Sequence, residues 1–310
     1  MAYALKGQDI QILKTIAEYH LLSLAQISEL TARHPKSMAR RLKQLEQDGL
    51  IQKTNRGFGR GRGRPENLVT LTGQGLEVLR KQGNISPDSG HDKAAETHMQ
   101  NTDHQLLVNW FRTHLVRLGR AVPQLSIAFL SPTSPFLNRD IDGGLPVYER
   151  VVVKSEEQNE EEAYFIPDGV FSITDKESTP QKTLLFFLEV DMGSEPLVRT
   201  NQGAQDIRQK IVYYQSYFRT YGYKRYEGFW NCRLNGFRLL FLTNTASRKI
   251  ALCRLVQEMR PSNFIWVADQ ESMFAKGLGT EIWARGGLDQ QPPESILGQL
   301  AADCPPIASH

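Results

Sequence analysis

The stretch SMARRLKQLEQDGLI, Ser37–Ile51, decides the fold of the N-terminal part of the chain. Its apolar residues recur at helical spacing, which predicts an amphipathic helix. Pro35 is a favoured residue for the first turn of such a helix, and Asp48-Gly49 is typical of its C-terminal cap. The apolar stripe consists of Met38, Leu42 and Leu45. Polar and basic residues therefore occupy the opposite face of the helix.

Further patterns surround this helix on both sides. Two helical patterns precede it, GQDIQILKTIAEYH and LSLAQISELTAR, and Ser23 is a plausible N-cap of the second. Two short strand patterns follow it, LIQKT and NLVTLT, and then a further helical pattern, GQGLEVLRKQG. This order resembles a winged helix-turn-helix over about the first quarter of the chain. The resemblance rests on ISEL, on SMARRLKQLEQDGLI and on the closing NLVTLTGQG.

The resemblance implies a recognition helix in the major groove of DNA and a wing on the adjacent backbone or minor groove. Arginine can read guanine and glutamine can read adenine, and either side chain can instead contact phosphates. Winged helices also serve as protein-interaction modules, which is the alternative function of this segment. The expected DNA-contacting residues are Lys36, Ser37, Arg40, Arg41 and Gln44 on the helix and Arg56, Arg60, Arg62 and Arg64 on the wing.

The stretch RGFGRGRGRPEN, Arg56–Asn67, lies between the two predicted strands. Read alone, its R-G-R-P segment is similar to the core of an AT-hook, whose extended arginines fit a narrow minor groove. Because strand patterns bracket it, the tip of a wing is the favoured interpretation, and such a tip can also enter the minor groove. A disordered basic linker is the remaining alternative, and it requires that NLVTLT is not a strand.

Positive charge is concentrated at the N-terminal end. Residues 1–84 contain 14 Lys and Arg against 7 Asp and Glu, a net +7, and the whole 310-residue chain carries +3, which leaves −4 for the remainder. This asymmetry predicts a nucleic-acid-binding module joined to a module with another role. A basic, solvated face without a partner is the other interpretation of the charge alone.

Composition indicates a protein that folds in water, and we expect it in the cytoplasm and not in a membrane. Hydrophobic residues make up 40% of the chain, and the first residues, MAYALKGQDI, lack the apolar core of a signal peptide. The three cysteines are far apart and form no CxxC pair. We therefore expect reduced thiols, with neither a disulfide framework nor a zinc site.

The length of the chain allows two domains. Residues 82–94, QGNISPDSGHDKA, have the composition of a linker. The predicted organisation is a winged-helix DNA-binding domain at 1–84, a linker at 85–95, an α/β domain at 96–285 and a C-terminal tail at 286–310.

Helical and strand patterns alternate beyond the linker. The helix HMQNTDHQLLVNWFRTHLVRLG precedes the strand LSIAFLS, a hairpin starting at VVVK, and TLLFFLEVDMG, whose continuous apolar run is typical of a central buried strand. The acidic run Glu156–Glu162 is expected in the hairpin turn, and Pro167-Asp168 in the hairpin's second strand. Four further patterns follow: a helix from about Thr200 to Tyr221, the strand GFRLLFLT, the helix SRKIALCRLVQEMR and the strand NFIWVADQ. The order predicts a mixed α/β sheet with helices on its faces.

Carboxylates lie on two adjacent predicted strands. Asp168 follows a proline, and Glu189 and Asp191 end the buried apolar run. The order and these residues resemble the PD-(D/E)XK, or restriction-endonuclease-like, core. The resemblance implies Asp168, Glu189 and Asp191 as catalytic ligands of Mg²⁺, which polarises the scissile phosphate and lowers the pKa of a bound water. The alternative is an aspartate in a turn or cap and a solvent-facing pair at a strand end.

The family's motif has a lysine two residues after the second acid, on the same face of the strand. Asp191 holds that position here, and a carboxylate cannot replace a cation. The nearest substitute is Lys210 on the following helix, and Arg208 is a weaker one. Without a metal, crowding of like charges predicts raised carboxylate pKa values. Two alternatives follow: a nuclease with a migrated lysine, or an inactive domain that keeps the fold for DNA binding or dimerisation.

The two modules together narrow the resemblance. A winged helix, then I-P-D-G, then E-x-D-x-G-x-E ending at Glu195, then a helix with Q-K-I-x-x-Y, is similar to the replication-relaxation family over most of residues 5–270. That family is associated with plasmids and other mobile elements. The implied fold class is α/β, with an N-terminal winged-helix domain and a restriction-endonuclease-like mixed α/β sheet domain.

The favoured function is a DNA-binding protein that controls replication or transcription of a plasmid or another mobile element. Its partner is double-stranded DNA, and its second domain is expected to be an inactive nuclease-like domain that dimerises, binds DNA or binds a protein of the mobile-element machinery. A homodimer is expected, because many winged-helix regulators bind paired half-sites. The alternative is a Mg²⁺-dependent DNA endonuclease directed by its winged helix, with Lys210 stabilising charge. A structural adaptor without DNA contact is a third function.

Overall fold

The computed structural model describes residues 5–55, 67–83, 85, 102–137, 147–154, 159–198 and 206–298. The chain divides into two compact units, one formed by Met1–Thr113 with Thr133–Asn138 and the other by His114–Pro132 with Arg139–His310. The predicted domain bounds at 84, 95 and 285 stay predictions. The predicted wing has four arginines that lie outside the described residues: Arg56, Arg60, Arg62 and Arg64.

The first unit contains the three helices, the two strands and the further helix that the sequence predicts, in that order, and a short strand between the first two helices that it does not predict. Its three strands form an antiparallel sheet in the order β1-β3-β2, so the winged-helix prediction is confirmed. The elements are α1 (Gly7–Tyr19), β1 (Leu22–Ser23), α2 (Leu24–Thr31), α3 (Pro35–Gln47), β2 (Ile51–Asn55), β3 (Asn67–Leu71), α4 (Gly73–Lys81) and the first part of α5 (Thr102–Ala121).

Local sequence signals set the ends of these helices. The Ser23 side chain accepts a hydrogen bond from the backbone N–H of Gln26 at 3.3 Å, so the predicted cap of α2 is confirmed. Pro35 occupies the first turn of α3, where its missing N–H costs nothing. Gly49 follows α3 with φ +72°, a conformation that glycine adopts without strain and that lets the chain turn into β2.

The first half of α5 is held to the end of α1 by polar contacts. Asn109 donates from Nδ2 to the backbone carbonyls of Tyr19 (3.1 Å) and Leu21 (2.5 Å). The buried Arg112 forms an ion pair with Glu18, and its guanidinium lies 3.8 Å from the ring centroid of Tyr19. These contacts satisfy buried polar groups that would otherwise oppose packing.

The second unit is built on a mixed six-stranded sheet in the order β11-β10-β9-β8-β7-β4. Strands β8, β9 and β10 are parallel, and the other pairings are antiparallel. Its elements are the second part of α5, β4 (Leu125–Leu130), β5 (Glu149–Lys154), β6 (Glu160–Phe165), β7 (Gly169–Asp175), β8 (Lys182–Asp191), α6 (Ile207–Arg219), a 3₁₀ turn (Gly222–Arg225), α7 (Tyr226–Trp230), β9 (Arg238–Thr243), α8 (Ala246–Glu258), β10 (Ile265–Asp269), α9 (Gln270–Lys276) and β11 (Ala284–Arg285).

Strand β8 is central, as its continuous apolar sequence predicts. Residues 185–191 are all buried, and β8 pairs with β7 on one side and β9 on the other. The ring of Phe187 lies 5.6 Å from that of Tyr214 and 5.7 Å from that of Tyr217, both on α6. Full burial of one such side chain contributes about 2–3 kcal/mol, so this aromatic layer fixes α6 against the sheet.

Strands β5 and β6 differ from the prediction. They pair with each other in a separate two-stranded sheet, and Pro167-Asp168 lies between β6 and β7, not within the hairpin. The prediction that the whole acidic run forms a turn is wrong for Glu160–Glu162, which belong to β6. The glutamates fit a strand because this part of β6 faces solvent, where Glu162 pairs with Arg150 across the strands.

Helix α6 is shorter than predicted, since it begins at Ile207. The Asp206 side chain accepts a hydrogen bond from the backbone N–H of Gln209 at 2.7 Å, which caps the helix at this point. Residues 199–205 lie outside the described part. Among the helices that the structure describes, none is long and apolar enough to cross a bilayer.

Candidate functional site

The outward face of α3 is a surface of exposed basic and polar side chains. Lys36, Ser37 and Arg40, all predicted from the sequence, are exposed, and so is Lys43, which was not predicted. Within the described ranges, no ion pair engages Lys36, Arg40 or Lys43. The opposite face of α3 is buried in the core of the first unit through Met38, Leu42 and Leu45.

Arg41 and Gln44, also predicted as DNA contacts, point elsewhere. The Arg41 guanidinium forms an ion pair with both carboxylate oxygens of Asp9, which is 2% exposed. Gln44 donates from Nε2 to Asp48 Oδ1 at 3.2 Å. Both side chains are half-buried. Arg41 joins α3 to α1, whereas Gln44 contacts the C-terminal cap of its own helix, and contact of either residue with DNA stays a prediction.

The second candidate site lies where β7 begins and β8 ends. Asp168 accepts a hydrogen bond on Oδ2 from the backbone N–H of Val190 at 2.7 Å, and its own N–H donates to Leu188 O at 3.0 Å. Its carboxylate is thereby fixed beside Glu189, which is 4% exposed. Asp168, directly before β7, and Glu189, on β8, therefore lie side by side.

Helix α6 adds two side chains to this pair of acids. Lys210 Nζ lies 3.3 Å from Glu189 Oε2 and 3.1 Å from Glu195 Oε2. Tyr214, one helical turn later, donates from its hydroxyl to Glu189 Oε1 at 2.6 Å. We call Asp168, Glu189, Lys210 and Tyr214 the carboxylate site. Helix α6 thus places a lysine beside the buried Glu189.

Asp191 takes part in a separate ion pair with α8. Arg248 donates from Nε to Asp191 Oδ2 at 2.6 Å and from Nη2 to Oδ1 at 3.2 Å. The backbone N–H of Gly193 donates to Oδ1 at 2.8 Å, and Gly193 has φ +75° at this turn. Among the residues that the structure describes, no three His, Cys, Asp or Glu side chains are placed to hold one metal ion together.

Burial dominates the electrostatics of the carboxylate site. It raises the pKa of Glu189 to about 7, against the lowering effect of the Lys210 charge, and the nearby Asp168 charge raises it further. A raised pKa is thus confirmed for Glu189, but its main cause is burial and not crowding. Burial acts to lower the pKa of Lys210, yet the charges of Glu189, Asp168 and Glu195 outweigh it and keep the pKa above its usual value.

The donor set fits Mg²⁺ through two carboxylates. Mg²⁺ is commonly held by one or two carboxylates together with waters and substrate phosphates. Asp168 and Glu189 would hold it, since both lie at the same end of adjacent strands. Asp191 would contribute only after release from Arg248, because the guanidinium binds both of its carboxylate oxygens.

Comparison with protein families gives a match to the replication-relaxation family model over residues 13–231, which is more than half of the chain. The chain belongs to the replication-relaxation family. The matched residues begin within α1, include the rest of the winged helix, the carboxylate site and Glu195, and end before Arg248.

Some solved structures are similar to part of this replication-relaxation protein. NadR in complex with 4-hydroxyphenylacetate matches 37% of this chain and 76% of its own, at 17% identity and a TM-score of 0.25. The zinc-responsive MarR family member ZitR of Lactococcus lactis matches 38% and 78%, at 20% identity and a TM-score of 0.23. A ZitR mutant in complex with DNA matches at 22% identity and a TM-score of 0.22. The search of curated proteins found no significant match.

Three residues of these sites were not assigned a role from the sequence. Lys43 lies seven residues after Lys36, so helical spacing alone could have placed it on the exposed face of α3. Tyr214 is the tyrosine of Q-K-I-x-x-Y, one turn from Lys210, and the same spacing could have identified it. Arg248 had no such signal, because it is 57 residues from Asp191 and only the parallel pairing of β8 and β9 brings α8 to that strand end.

Proposed function

We propose that this replication-relaxation protein is a DNA-binding regulatory protein that recognises double-stranded DNA through α3. The observation that carries the proposal is the exposed face of α3, where Lys36, Arg40 and Lys43 have no ion-pair partner within the described residues. The winged-helix arrangement of the first unit and the family assignment support it.

The chemistry of this face suits a duplex. Arg40 lies one turn after Lys36, and Lys43 lies about two turns after it, so the three cations follow one side of the helix. Such cations neutralise phosphates, while Arg40 and Ser37 can also reach base edges in the major groove. The predicted wing arginines would add contacts to the adjacent backbone or minor groove.

The family assignment supports a proposal for the biological role. We propose that the protein controls replication or transcription of a plasmid or another mobile element in the cytoplasm. We also propose that it acts as a homodimer, because paired half-sites raise both affinity and specificity. A protein partner from the mobile-element machinery is a further part of the proposal.

For the second unit we propose a PD-(D/E)XK-like domain that does not cleave DNA. Two observations support this proposal. Asp191 stands where the motif has its lysine, and it is bound by Arg248. Lys210 is engaged by Glu189 and Glu195, so it would have to exchange partners to act on a substrate. Such a domain would dimerise, bind DNA or bind a partner.

A Mg²⁺-dependent DNA endonuclease is the second candidate, and the contact of Lys210 with Glu189 beside Asp168 favours it. Bound Mg²⁺ would supply Lewis-acid polarisation of the phosphate. Asp168 and Glu189 would hold the ion, Lys210 would stabilise negative charge on the phosphate, and Tyr214 would fix the orientation of Glu189.

Duplex binding by the full-length chain tests the first proposal. The variant Lys36→Ala/Arg40→Ala/Lys43→Ala should bind a fluorescent 30-base-pair duplex at least about tenfold more weakly at 100 mM salt, since three phosphate or base contacts are lost. Lys81→Ala is the control, because Lys81 is exposed in the last turn of α4. Equal affinities of the triple variant and the wild type would overturn the assignment of α3.

Plasmid cleavage separates the two candidates for the second unit. We expect supercoiled plasmid to stay intact with the wild type in Mg²⁺ or Mn²⁺. Nicking that disappears in both Asp168→Ala and Glu189→Gln would establish the endonuclease. Lys210→Met should abolish that nicking as well, whereas Arg208→Met, on an exposed side chain of the same helix, should retain it.

A further inference from the structure

A large open groove lies at the opposite end of the sheet from the carboxylate site. Its volume is about 1150 Å³, and it is lined by the first residues of β8 and β9, by part of β10 and by the segment between α7 and β9. Lys182 opens β8, whereas Glu189 lies seven residues further along the same strand, roughly 23 Å away at the usual rise per residue. The groove is therefore distinct from the carboxylate site.

Positive charge dominates the lining of this groove. Four of the lining residues are basic and one is acidic, Glu227. Lys182 and Arg233 are exposed, and among the described residues neither has an ion-pair partner. The charge of Glu227 is shared with Lys224, whose Nζ lies 3.8 Å from Glu227 Oε1, and the same oxygen accepts a hydrogen bond from the backbone N–H of Leu234 at 2.8 Å. The groove thus presents uncompensated cations, which suits an anionic ligand.

Two aromatic rings form part of the same wall. Phe218 and Phe264 are stacked with their centroids 5.0 Å apart and their planes at 24°, and both are half-buried and not fully covered. Gly236 faces Phe218 so closely that a Cβ there would lie 3.3 Å from the ring. The absence of a side chain at Gly236 keeps the space beside the ring open. Planar groups stack on exposed aromatic surfaces of this kind.

The remaining polar groups of the wall are amides. The side chains of Asn231, Asn235 and Asn263 are exposed at the groove, and an amide both donates and accepts hydrogen bonds, as the edge of a nucleobase does. By contrast, Trp266 is buried beneath two guanidinium groups, with Arg238 4.7 Å and Arg285 5.8 Å from its ring. Its face is not open to a ligand, so stacking falls to Phe218 and Phe264.

We propose that this groove binds a nucleotide unit, with the base against Phe218 and Phe264 and the phosphate at Lys182 and Arg233. A free nucleotide and a segment of single-stranded nucleic acid share this chemistry. An acidic peptide would use the cations but not the rings. The groove belongs to the second unit and α3 to the first, so the proposal does not depend on duplex binding by α3.

The test uses the full-length chain carrying Lys36→Ala/Arg40→Ala/Lys43→Ala, so that α3 contributes as little as possible. Binding of fluorescent dT₁₂ and of a fluorescent ATP analogue is measured at 50 mM salt. For whichever of the two ligands binds, Lys182→Glu/Arg233→Glu should weaken the affinity at least tenfold. Phe218→Leu/Phe264→Leu, which keeps most of the side-chain volume, should weaken it roughly fivefold or more through lost stacking.

The matched control is Arg254→Glu/Lys276→Glu, which reverses two exposed cations outside the groove and should leave affinity unchanged. Thermal melts check that each variant is folded. Photo-crosslinking of dT₁₂ that carries 4-thiothymidine, to the chain with only the three α3 substitutions, locates the oligonucleotide contact without any change in the groove. Crosslinks on peptides containing Phe218, Arg233 or Phe264 support an oligonucleotide, and competition by ATP at the same site supports a free nucleotide.

Three results would overturn the proposal. The first is absence of binding to both dT₁₂ and the ATP analogue. The second is an equal loss of affinity in the control variant and the charge-reversal variant. The third is a loss of affinity in Lys182→Glu/Arg233→Glu without a loss in Phe218→Leu/Phe264→Leu, together with displacement of the bound ligand by poly-glutamate. This result would assign the groove to an acidic peptide.

Discussion

Arg40 and Arg41 are neighbours in sequence, but their side chains lie in different environments. Arg40 is exposed, whereas Arg41 is bound to the buried carboxylate of Asp9 on α1. A helix turns by about 100° per residue, so adjacent residues cannot share a face. One arginine can therefore serve recognition while the next serves stability.

Substitution of the two arginines should separate these roles. Arg41→Ala leaves Asp9 buried without its cation, and we expect the free energy of unfolding to fall by about 2 kcal/mol. Arg40→Ala should change it by less than about 0.5 kcal/mol, as is usual for an exposed residue. Chemical denaturation measures both. A larger loss of stability for Arg40→Ala would contradict the assignment of these side chains.

His114 is a buried histidine in the second unit that faces the ring of Phe274 at 5.8 Å. Burial, with a smaller contribution from the charge of Arg117, lowers its pKa to about 4. In the unfolded chain its pKa is near 6.5, so the unfolded state binds the proton first as the pH falls. The stability that His114 contributes is complete above pH 6.5 and is lost between about 6.5 and 4.

His114→Gln should therefore flatten the pH dependence of unfolding. Between pH 6.5 and 4 the free energy of unfolding of the wild type should fall by about 3 kcal/mol more than that of the variant, since each unit of pKa difference corresponds to about 1.4 kcal/mol. The measurement is denaturant unfolding of both proteins at several pH values. Parallel curves for the two proteins would show that His114 is not held neutral by burial.

At the scale of elements, α4 packs closely against the turn that precedes β2. A Cβ on Gly75 would lie 2.1 Å from the backbone oxygen of Leu50 and 2.5 Å from Leu71 Cδ2. Only a residue without a side chain allows this approach. Gly73, in the same first turn of the helix, has nothing within 4 Å of such a Cβ.

The two glycines provide a matched pair of substitutions. Gly75→Ala should lower the melting temperature and cost at least about 2 kcal/mol, because backbone must move to admit the methyl group. Gly73→Ala should be neutral or stabilise by up to about 1 kcal/mol through helix propensity. Thermal unfolding of both variants checks this, and a similar effect of the two would refute the close packing of α4.

The contact between β8 and α6 also joins two elements through single side chains. Lys210→Ala removes the cation beside the buried Glu189, and we expect unfolding of the second unit to become easier by about 2 kcal/mol. Arg208→Ala is the control on the same helix, because its ion pair with Glu258 is exposed and such pairs contribute little. Equal effects of the two substitutions would mean that Lys210 does not stabilise Glu189.

The sequence predicts the elements better than the contacts between them. Periodicity and caps placed α2, α3 and the central strand, because these signals are local. A hairpin was predicted at β5 and β6, but its separation from the main sheet was missed, since the sequence of a strand does not encode which sheet the strand joins. Tertiary packing also limited the prediction of the carboxylate site. Asp168, Glu189 and Lys210 could be named, but the binding of Asp191 by Arg248 depends on tertiary packing.

At the scale of the whole molecule, the two units differ in chemistry. The first carries the exposed basic face of α3 in a winged helix, and the second carries buried carboxylates at one end of its sheet and a basic, aromatic groove at the other. In the proposed function, the first unit selects DNA, while the second supplies dimerisation or the binding of a further ligand. The basic residues at the N-terminal end and the net negative remainder fit this division.

The salt dependence of duplex binding tests the central claim most directly. For the wild type, log Kd should rise linearly with log salt, since binding releases counterions from the phosphates. In Lys36→Ala/Arg40→Ala/Lys43→Ala the slope of log Kd against log salt should be smaller by about 2 to 3, because each lost phosphate contact lowers the slope by about 1. An unchanged slope together with an unchanged Kd would contradict the claim that α3 binds DNA.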